Sequence, residues 1–254
     1  MLEMEEATFL YAPGRGIAGA SFRVVPGEVV GVVGGNGAGK STLLGLAAAA
    51  LVPQVGQVML AVTDLGGRTK RFRTDAGIAY RRRVGYLTEQ APLYEEMGVA
   101  QYLRFRARLR GERFLRIRRR VREAMERCGL IEVRRERIGA LSFGFRRRVA
   151  LAEAILTMPS VLVLDDPFSG VDAQLRAELA TVIRDVSGRA HVLLSGHDPL
   201  LLAACCTRFL VVEHGRLIAD EGSAEVALTA VSGVREEGLV INAGFDQVPK
   251  GGEI

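Results

Sequence analysis

Three features of the sequence predict an α/β fold with a mainly parallel central sheet. Short β-branched runs alternate with longer helical patterns, a glycine-rich loop separates an apolar run from a helical one, and the apolar run 161–164 ends on two aspartates. Taken in order, residues 21–25 and 29–33 read as strands. Pro26-Gly27 between them is a turn signal, which predicts an antiparallel hairpin near the N-terminus. A helix follows over about 40–51 and is expected to stop at Pro53. Residues 57–62 and 84–87 read as further strands. From Val99 to Ile138 helix formers and charges replace β-branched runs, which predicts a helical lobe of about 98–158 inserted into the core. Sheet signals return at 161–165, 191–195 and 209–212, separated by helical stretches at 173–186 and 200–206. Residues 1–244 are expected to form one domain, and 245–254, with little to bury, a disordered tail.

The 254 residues are 48% hydrophobic and 25% charged, which supports a large core and excludes a disordered chain or a mini-protein. Net charge is +5, and 31 of the 34 basic residues are arginine. The charge is unevenly spread. Between Arg68 and Arg148 lie 23 arginines and Lys70 against 9 acids, a net of +15, so the rest of the chain carries −10. Cys128, Cys205 and Cys206 have neither disulfide-framework nor zinc-ligand spacing, which fits a reducing cytoplasm. The acidic start does not read as a secretory leader, and no apolar run reaches the ~18 residues of a membrane span.

Residues 34–42, GGNGAGKST, satisfy the pattern G-x-x-x-x-G-K-[ST] between an apolar strand and a helix. Such a loop curls its N–H groups around phosphate oxygens at a helix N-terminus. Gly34, Asn36, Gly37, Ala38, Gly39, Lys40, Ser41 and Thr42 are therefore the candidate nucleotide-binding residues. Lys40 would reach the β- and γ-phosphates and the Ser41 hydroxyl would ligate Mg²⁺. The run VLVLDD presents Asp165 at the carboxyl end of a buried strand, where α/β sheets place ligands, as a second Mg²⁺ contact. Asp166 is the candidate to orient or deprotonate the attacking water.

Together these residues resemble the nucleotide-binding subunit of ATP-binding-cassette (ABC) transporters, a P-loop NTPase fold with an N-terminal antiparallel β subdomain and an inserted helical lobe. The resemblance runs from about Phe9 to Ala230. Tyr11 corresponds to the family's adenine-stacking aromatic, and the run GYLTEQ at 85–90 to the loop that senses the γ-phosphate and the membrane partner. The run LSFGF at 141–145 corresponds to the signature sequence, with Ser142 lying 23 residues before Asp165. SGVD at 169–172 resembles the D-loop and SGHD at 195–198 the switch-histidine loop. The resemblance implies head-to-tail pairing with a second ATP-binding subunit, a copy or a paralogue. Ser142 and Gly144 of one chain would then meet the γ-phosphate held by the other, and His197 would stabilise transition-state charge. It further implies an integral membrane permease as partner and a place on the inner face of the cell membrane.

Four positions depart from the family pattern. Gly35 stands where proline is usual, and Phe143 and Phe145 replace the signature's central glycine and its glutamine, a variation familiar in the drug-export-like branch. Strict spacing puts Glu89 where glutamine is usual and Gln90 one place later, so either is a candidate metal contact. Asp166 replaces the usual catalytic glutamate. It keeps the carboxylate but loses a methylene, and a displacement of ~1 Å can cost on the order of 10²-fold, so slow turnover is expected.

The expected function is an ATPase subunit that powers an exporter. The alternatives are a slow or non-hydrolysing regulatory module, and a soluble ABC ATPase acting on nucleic acid or ribosomes. The arginines of the lobe read as a solvated face that includes Arg104, Arg106, Arg108 and Arg110, as a surface for acidic partner segments or anionic lipid, or as a nucleic-acid footprint. The last is disfavoured because no aromatics interleave with the arginines to stack on bases.

Overall fold

The computed structural model describes residues 1–63 and 66–236, so the tail expected at 245–254 lies outside the described residues. Strands β1 (Leu2–Ala12), β2 (Arg15–Val24), β4 (Val55–Thr63) and β5 (Thr69–Arg73) form a four-stranded antiparallel sheet in the order β2-β1-β4-β5. Strands β3 (Val29–Val33), β6 (Val84–Leu87), β7 (Val161–Leu164), β8 (His191–Gly196), β9 (Arg208–Glu213) and β10 (Arg216–Glu221) form the second sheet. Its order is β10-β9-β3-β8-β7-β6, and every pairing is parallel except β9 with β10.

The expected hairpin across Pro26-Gly27 does not form. β2 pairs with β1 in the antiparallel sheet, whereas β3 lies between β8 and β9 in the parallel one, so the turn carries the chain from sheet to sheet. Burial explains the difference: VVGVV is covered on both faces, as a central parallel strand must be, while β2 alternates between buried and exposed residues. The real hairpin is β1–β2, turning at Gly14 with φ +75°. Gly31 in mid-β3 has a packing reason, since a Cβ there would lie 2.9 Å from the Phe209 ring.

Helix α1 spans Lys40–Ala47, four residues short of the expected end. It stops because Ala49 turns left-handed at φ +52°, and the N–H groups of Ala50 and Leu51 both return to the Gly45 carbonyl at 3.0 Å. Pro53 lies beyond that turn and is not what ends the helix. α1 packs Leu43, Leu44 and Leu46 into a core shared by both sheets, with Val30, Val32 and Leu60. A short helix α2 (Ile78–Arg81) leads into β6.

α3 (Val99–Leu109), α4 (Phe114–Arg127) and α5 (Phe143–Ile155) make the helical lobe, which shares a second core with the other face of the parallel sheet. α6 (Ala173–Ser187), α7 (Pro199–Leu202) and α8 (Ala224–Glu236) are the remaining α-helices among the described residues. α7 is shorter than the stretch 200–206 suggests, and begins with Asp198 accepting from the Leu200 N–H at 2.8 Å and Pro199 in the first turn.

The arginines of α3 and its C-cap, Arg110, divide. Arg104 and Arg108 are exposed. Arg106 and Arg110, read from sequence as part of a solvated face, instead turn inward to the buried carboxylate of Glu153 on α5, with Arg106 Nε donating at 2.7 Å. Tyr102 donates its hydroxyl to the same carboxylate, and Arg110 also donates to the Val84 carbonyl at 2.9 Å. A buried carboxylate needs such partners, which draws two of the four arginines from solvent.

Candidate nucleotide site

The loop between β3 and α1 is shaped by close approach at its two ends. Gly34 (φ +151°) leaves no room for a side chain, since a Cβ would lie 2.1 Å from the Val212 carbonyl oxygen. Gly39 (φ +113°) faces the Gly16 carbonyl of β2, 2.7 Å from where its Cβ would stand. At Gly35, by contrast, a Cβ would meet nothing within 4 Å, so no steric demand selects glycine there. The Gly215 N–H holds the Ala38 carbonyl at 2.9 Å, which ties the loop to the β9–β10 turn. Lys40, buried at the start of α1, donates from Nζ to the Gly34 and Gly35 carbonyls, both at 2.9 Å, and so folds across its own loop. Burial holds its pKa below the usual lysine value, opposed by the nearby charges of Asp166, Asp165 and Glu89.

Those charges come from the ends of neighbouring strands. Asp165 follows β7, is buried, and accepts from the Ser195 hydroxyl of β8 at 2.7 Å. The same hydroxyl oxygen accepts the Asp166 N–H at 2.8 Å, so Ser195, itself fully buried, fixes both aspartates. Asp166 has left-handed backbone, φ +47°, which for a non-glycine residue is a strained conformation held by its surroundings. Its carboxylate, 16% exposed, stands 3.3 Å from Nε2 of His197, which is 52% exposed. The proposed base and the proposed switch histidine are thus in contact.

Two participants were not singled out from sequence. In the sequence Ser195 is only the first member of the SGHD run. Arg147 lay inside a run of three arginines after the signature and looked like its neighbours. It is buried on α5 and donates to the Glu89 carbonyl at 2.8 Å and the Asp166 carbonyl at 3.1 Å. Burial lowers its pKa against the charges of Asp166, Glu89 and Asp165. Helical periodicity does not mark it, since Arg147 keeps the spacing i, i+4, i+7 with buried Leu151 and Ala154, but Arg146 keeps the same spacing with buried Ala150 and Glu153.

The charge of Glu89 is felt by both Lys40 and Arg147, so it lies near the site. Both Glu89 and Gln90 are exposed. Asp165, Glu89 and the Ser41 hydroxyl are hard oxygen donors, a set that suits Mg²⁺, which takes one or two carboxylates and completes its shell with phosphate, hydroxyl and water oxygens. Among the described residues no cluster of three or more carboxylate, histidine or cysteine side chains forms a self-sufficient metal cage. Tyr11, near the end of β1, is 63% exposed and meets Phe9 edge-on at 5.0 Å between ring centroids, leaving a face free to stack. Tyr86 lies close enough to Asp165 and Tyr11 that their charges add to burial in pushing its hydroxyl pKa up to about 12.

Ser142 and Gly144 sit at the N-terminus of α5. The Ser142 hydroxyl accepts the Phe145 N–H at 3.4 Å, a helix cap. Gly144 packs against Leu175, 3.0 Å from where a Cβ would stand, and neither residue shares a hydrogen bond with the described residues of the loop 34–42.

The family model described as ABC transporter matches residues 17–169. The chain is 34% identical over 235 residues to the daunorubicin resistance ATP-binding protein DrrA3 of Streptomyces coeruleorubidus, covering 92% of this chain and 72% of that one. It is 32% identical over 238 residues to the methionine import ATP-binding protein MetN of Caulobacter vibrioides, covering 91% and 70%. It spans less of some other relatives, 42% of the length of an ABC transporter ATP-binding protein of Lactiplantibacillus plantarum to which it is 30% identical over 94% of its own length. A solved structure described as the ATP-binding subunit of an ABC transporter superposes with a TM-score of 0.76 at 26% identity, covering 93% of this chain and 95% of that one.

Proposed function

The chain belongs to the ABC transporter family, among its ATP-binding subunits, and from that premise we propose that it binds and hydrolyses ATP to power a separate membrane permease. The observation that carries this reading is the convergence of Lys40, Asp165, Asp166 and His197 at the carboxyl ends of β3, β7 and β8, beside a glycine loop opening α1. In this reading the loop's N–H groups and the α1 N-terminus hold the β- and γ-phosphates, and Lys40 exchanges its two carbonyl partners for phosphate oxygens. Ser41, Asp165 and Glu89 hold Mg²⁺, which when bound offsets phosphate charge. Asp166 takes a proton from the attacking water, and His197 donates to the γ-phosphate as charge builds there. Tyr11 stacks on the adenine.

Residues 1–244 act as one cassette, and two cassettes close on ATP with Ser142 and Gly144 of each facing the phosphates of the other. This accounts for Ser142 and Gly144 sharing no hydrogen bond with the described residues of their own loop. Export is the direction supported by the similarity to a drug-resistance ATP-binding protein, although a methionine importer subunit is nearly as similar. Among the described residues no helix is long and apolar enough to cross a membrane, and in this reading the chain works at the inner face of the membrane against its permease. The strained, shortened Asp166 supports slow turnover.

The test is size-exclusion chromatography with light scattering on the Asp166→Asn variant, with and without Mg-ATP, followed by identification of the integral protein that co-purifies from detergent-solubilised membranes. ATP-dependent doubling of mass and recovery of a permease are expected. An ATP-independent monomer that recovers ribosomes or nucleic acid instead would overturn the reading.

A further inference from the structure

The outer face of the helical lobe carries a feature that the nucleotide chemistry does not use. Along α4, Leu115, Arg118, Arg119 and Arg122 follow the spacing i, i+3, i+4, i+7, and Phe114 and Arg118 lie one turn apart, so all share one side of the helix. Phe114 and Leu115 are 76% and 88% exposed. One turn further on, a groove of about 580 Å³ is rimmed by Arg104, Arg118, Arg119, Arg122 and Arg134 over a floor that includes Val121 and Met125. Arg104 and Arg134, with Arg135, also line an adjoining groove, so the two are continuous. Glu123 pairs with Arg119, and Glu126 with Arg122. Arg104, Arg118 and Arg135 have no ion-pair partner among the described residues.

We propose that this face docks directly on an anionic lipid surface, with Phe114 and Leu115 entering the headgroup region and the arginine grooves receiving lipid phosphates. The two halves of the motif point the same way. A bare arginine cluster attracts any polyanion, but two large apolar side chains projecting from the start of the same helix gain free energy only where an apolar medium takes them up. Guanidinium groups beside them pair bidentately with phosphate and contribute most near a charged interface. Polynucleotide is the weaker match, since none of the groove-lining residues is aromatic and can stack on a base.

The experiment is sedimentation of the purified full chain with phosphatidylcholine vesicles, with and without about one third phosphatidylglycerol. Binding is expected only with the anionic lipid. It should weaken about a hundredfold on replacing Arg104, Arg118 and Arg134 with glutamine, and remain within severalfold when the same three become lysine. Phe114→Ser with Leu115→Ser should weaken it about tenfold without changing the thermal midpoint. Lys40→Ala should bind vesicles as the parent does, which separates this proposal from the nucleotide reading. Equal binding to neutral vesicles, or vesicle binding indifferent to Phe114 and Leu115, overturns the proposal. Tighter binding to duplex RNA or to polyglutamate than to the anionic vesicles also overturns it.

Discussion

Arg147 of the helical lobe donates to the main-chain carbonyl of Asp166 at 3.1 Å, while the Asp166 N–H is held at 2.8 Å by Ser195. The main chain of the proposed base is thus gripped on both sides of its Cα, one grip from the sheet and one from the lobe. Through its second bond, to the Glu89 carbonyl at 2.8 Å, Arg147 also links α5 to the loop after β6. A movement of the lobe is therefore felt by two elements of the site at once.

Replacing Arg147 with methionine keeps much of the side chain's bulk and removes both bonds. It should lower kcat about tenfold while KM for ATP changes less than about twofold, because Asp166 loses position and the phosphate loop does not. Two carbonyls left without their donor should also cost about 1–3 kcal/mol of stability. Steady-state kinetics and urea melts check both; an equal rise in KM would place Arg147 in binding instead.

Asp166→Glu restores the methylene that the family pattern carries. The variant should hydrolyse ATP about tenfold faster than the parent, since the carboxylate then reaches further toward the water. A rate equal to or below the parent's would show that the left-handed backbone at Asp166 already makes up the missing length.

Glu153 anchors Tyr102, Arg106 and Arg110 in the lobe. Glu153→Ala strands two guanidinium groups beside an apolar core and should destabilise the protein by about 3 kcal/mol. Denaturant titration measures it, and a loss below about 1 kcal/mol would mean that both arginines swing out to water freely.

His191, buried at the start of β8, has its pKa pushed down to about 4 by burial and by the cationic amino group of Met1. The unfolded chain takes up the proton near pH 6.5 and the folded one does not until about pH 4. Stability should therefore be intact above pH 6.5 and fall as pH drops between those values. The slope of the unfolding midpoint with pH reports this, and His191→Gln should flatten it.

The phosphate loop and the two aspartates were legible because their chemistry is local: a fixed spacing, an apolar strand before it, a helix after. The strands β1, β5 and β10 were not. β1 lacks a steady alternation because its register shifts at three places, with Glu6 left-handed at φ +46°, and β5 and β10 are polar outer strands with little apolar signal. The misplaced hairpin has a similar origin, since a Pro-Gly turn states that the chain reverses but not which sheet receives the next strand. Arg106, Arg110 and Arg147 illustrate the same limit among side chains. Each looks like its exposed neighbours until the partner, Glu153 or the Asp166 carbonyl, is brought from 19 or more positions away by the packing of α3, α5 and β7.

The most direct test of the nucleotide site is phosphate release from Mg-ATP by the purified protein and its Lys40→Ala variant at equal concentration. The parent should release phosphate at a slow but measurable rate and the variant at least about a hundredfold more slowly, with loss of ATP affinity. Equal rates in the two proteins, or undiminished ATP affinity in the variant, would contradict the account.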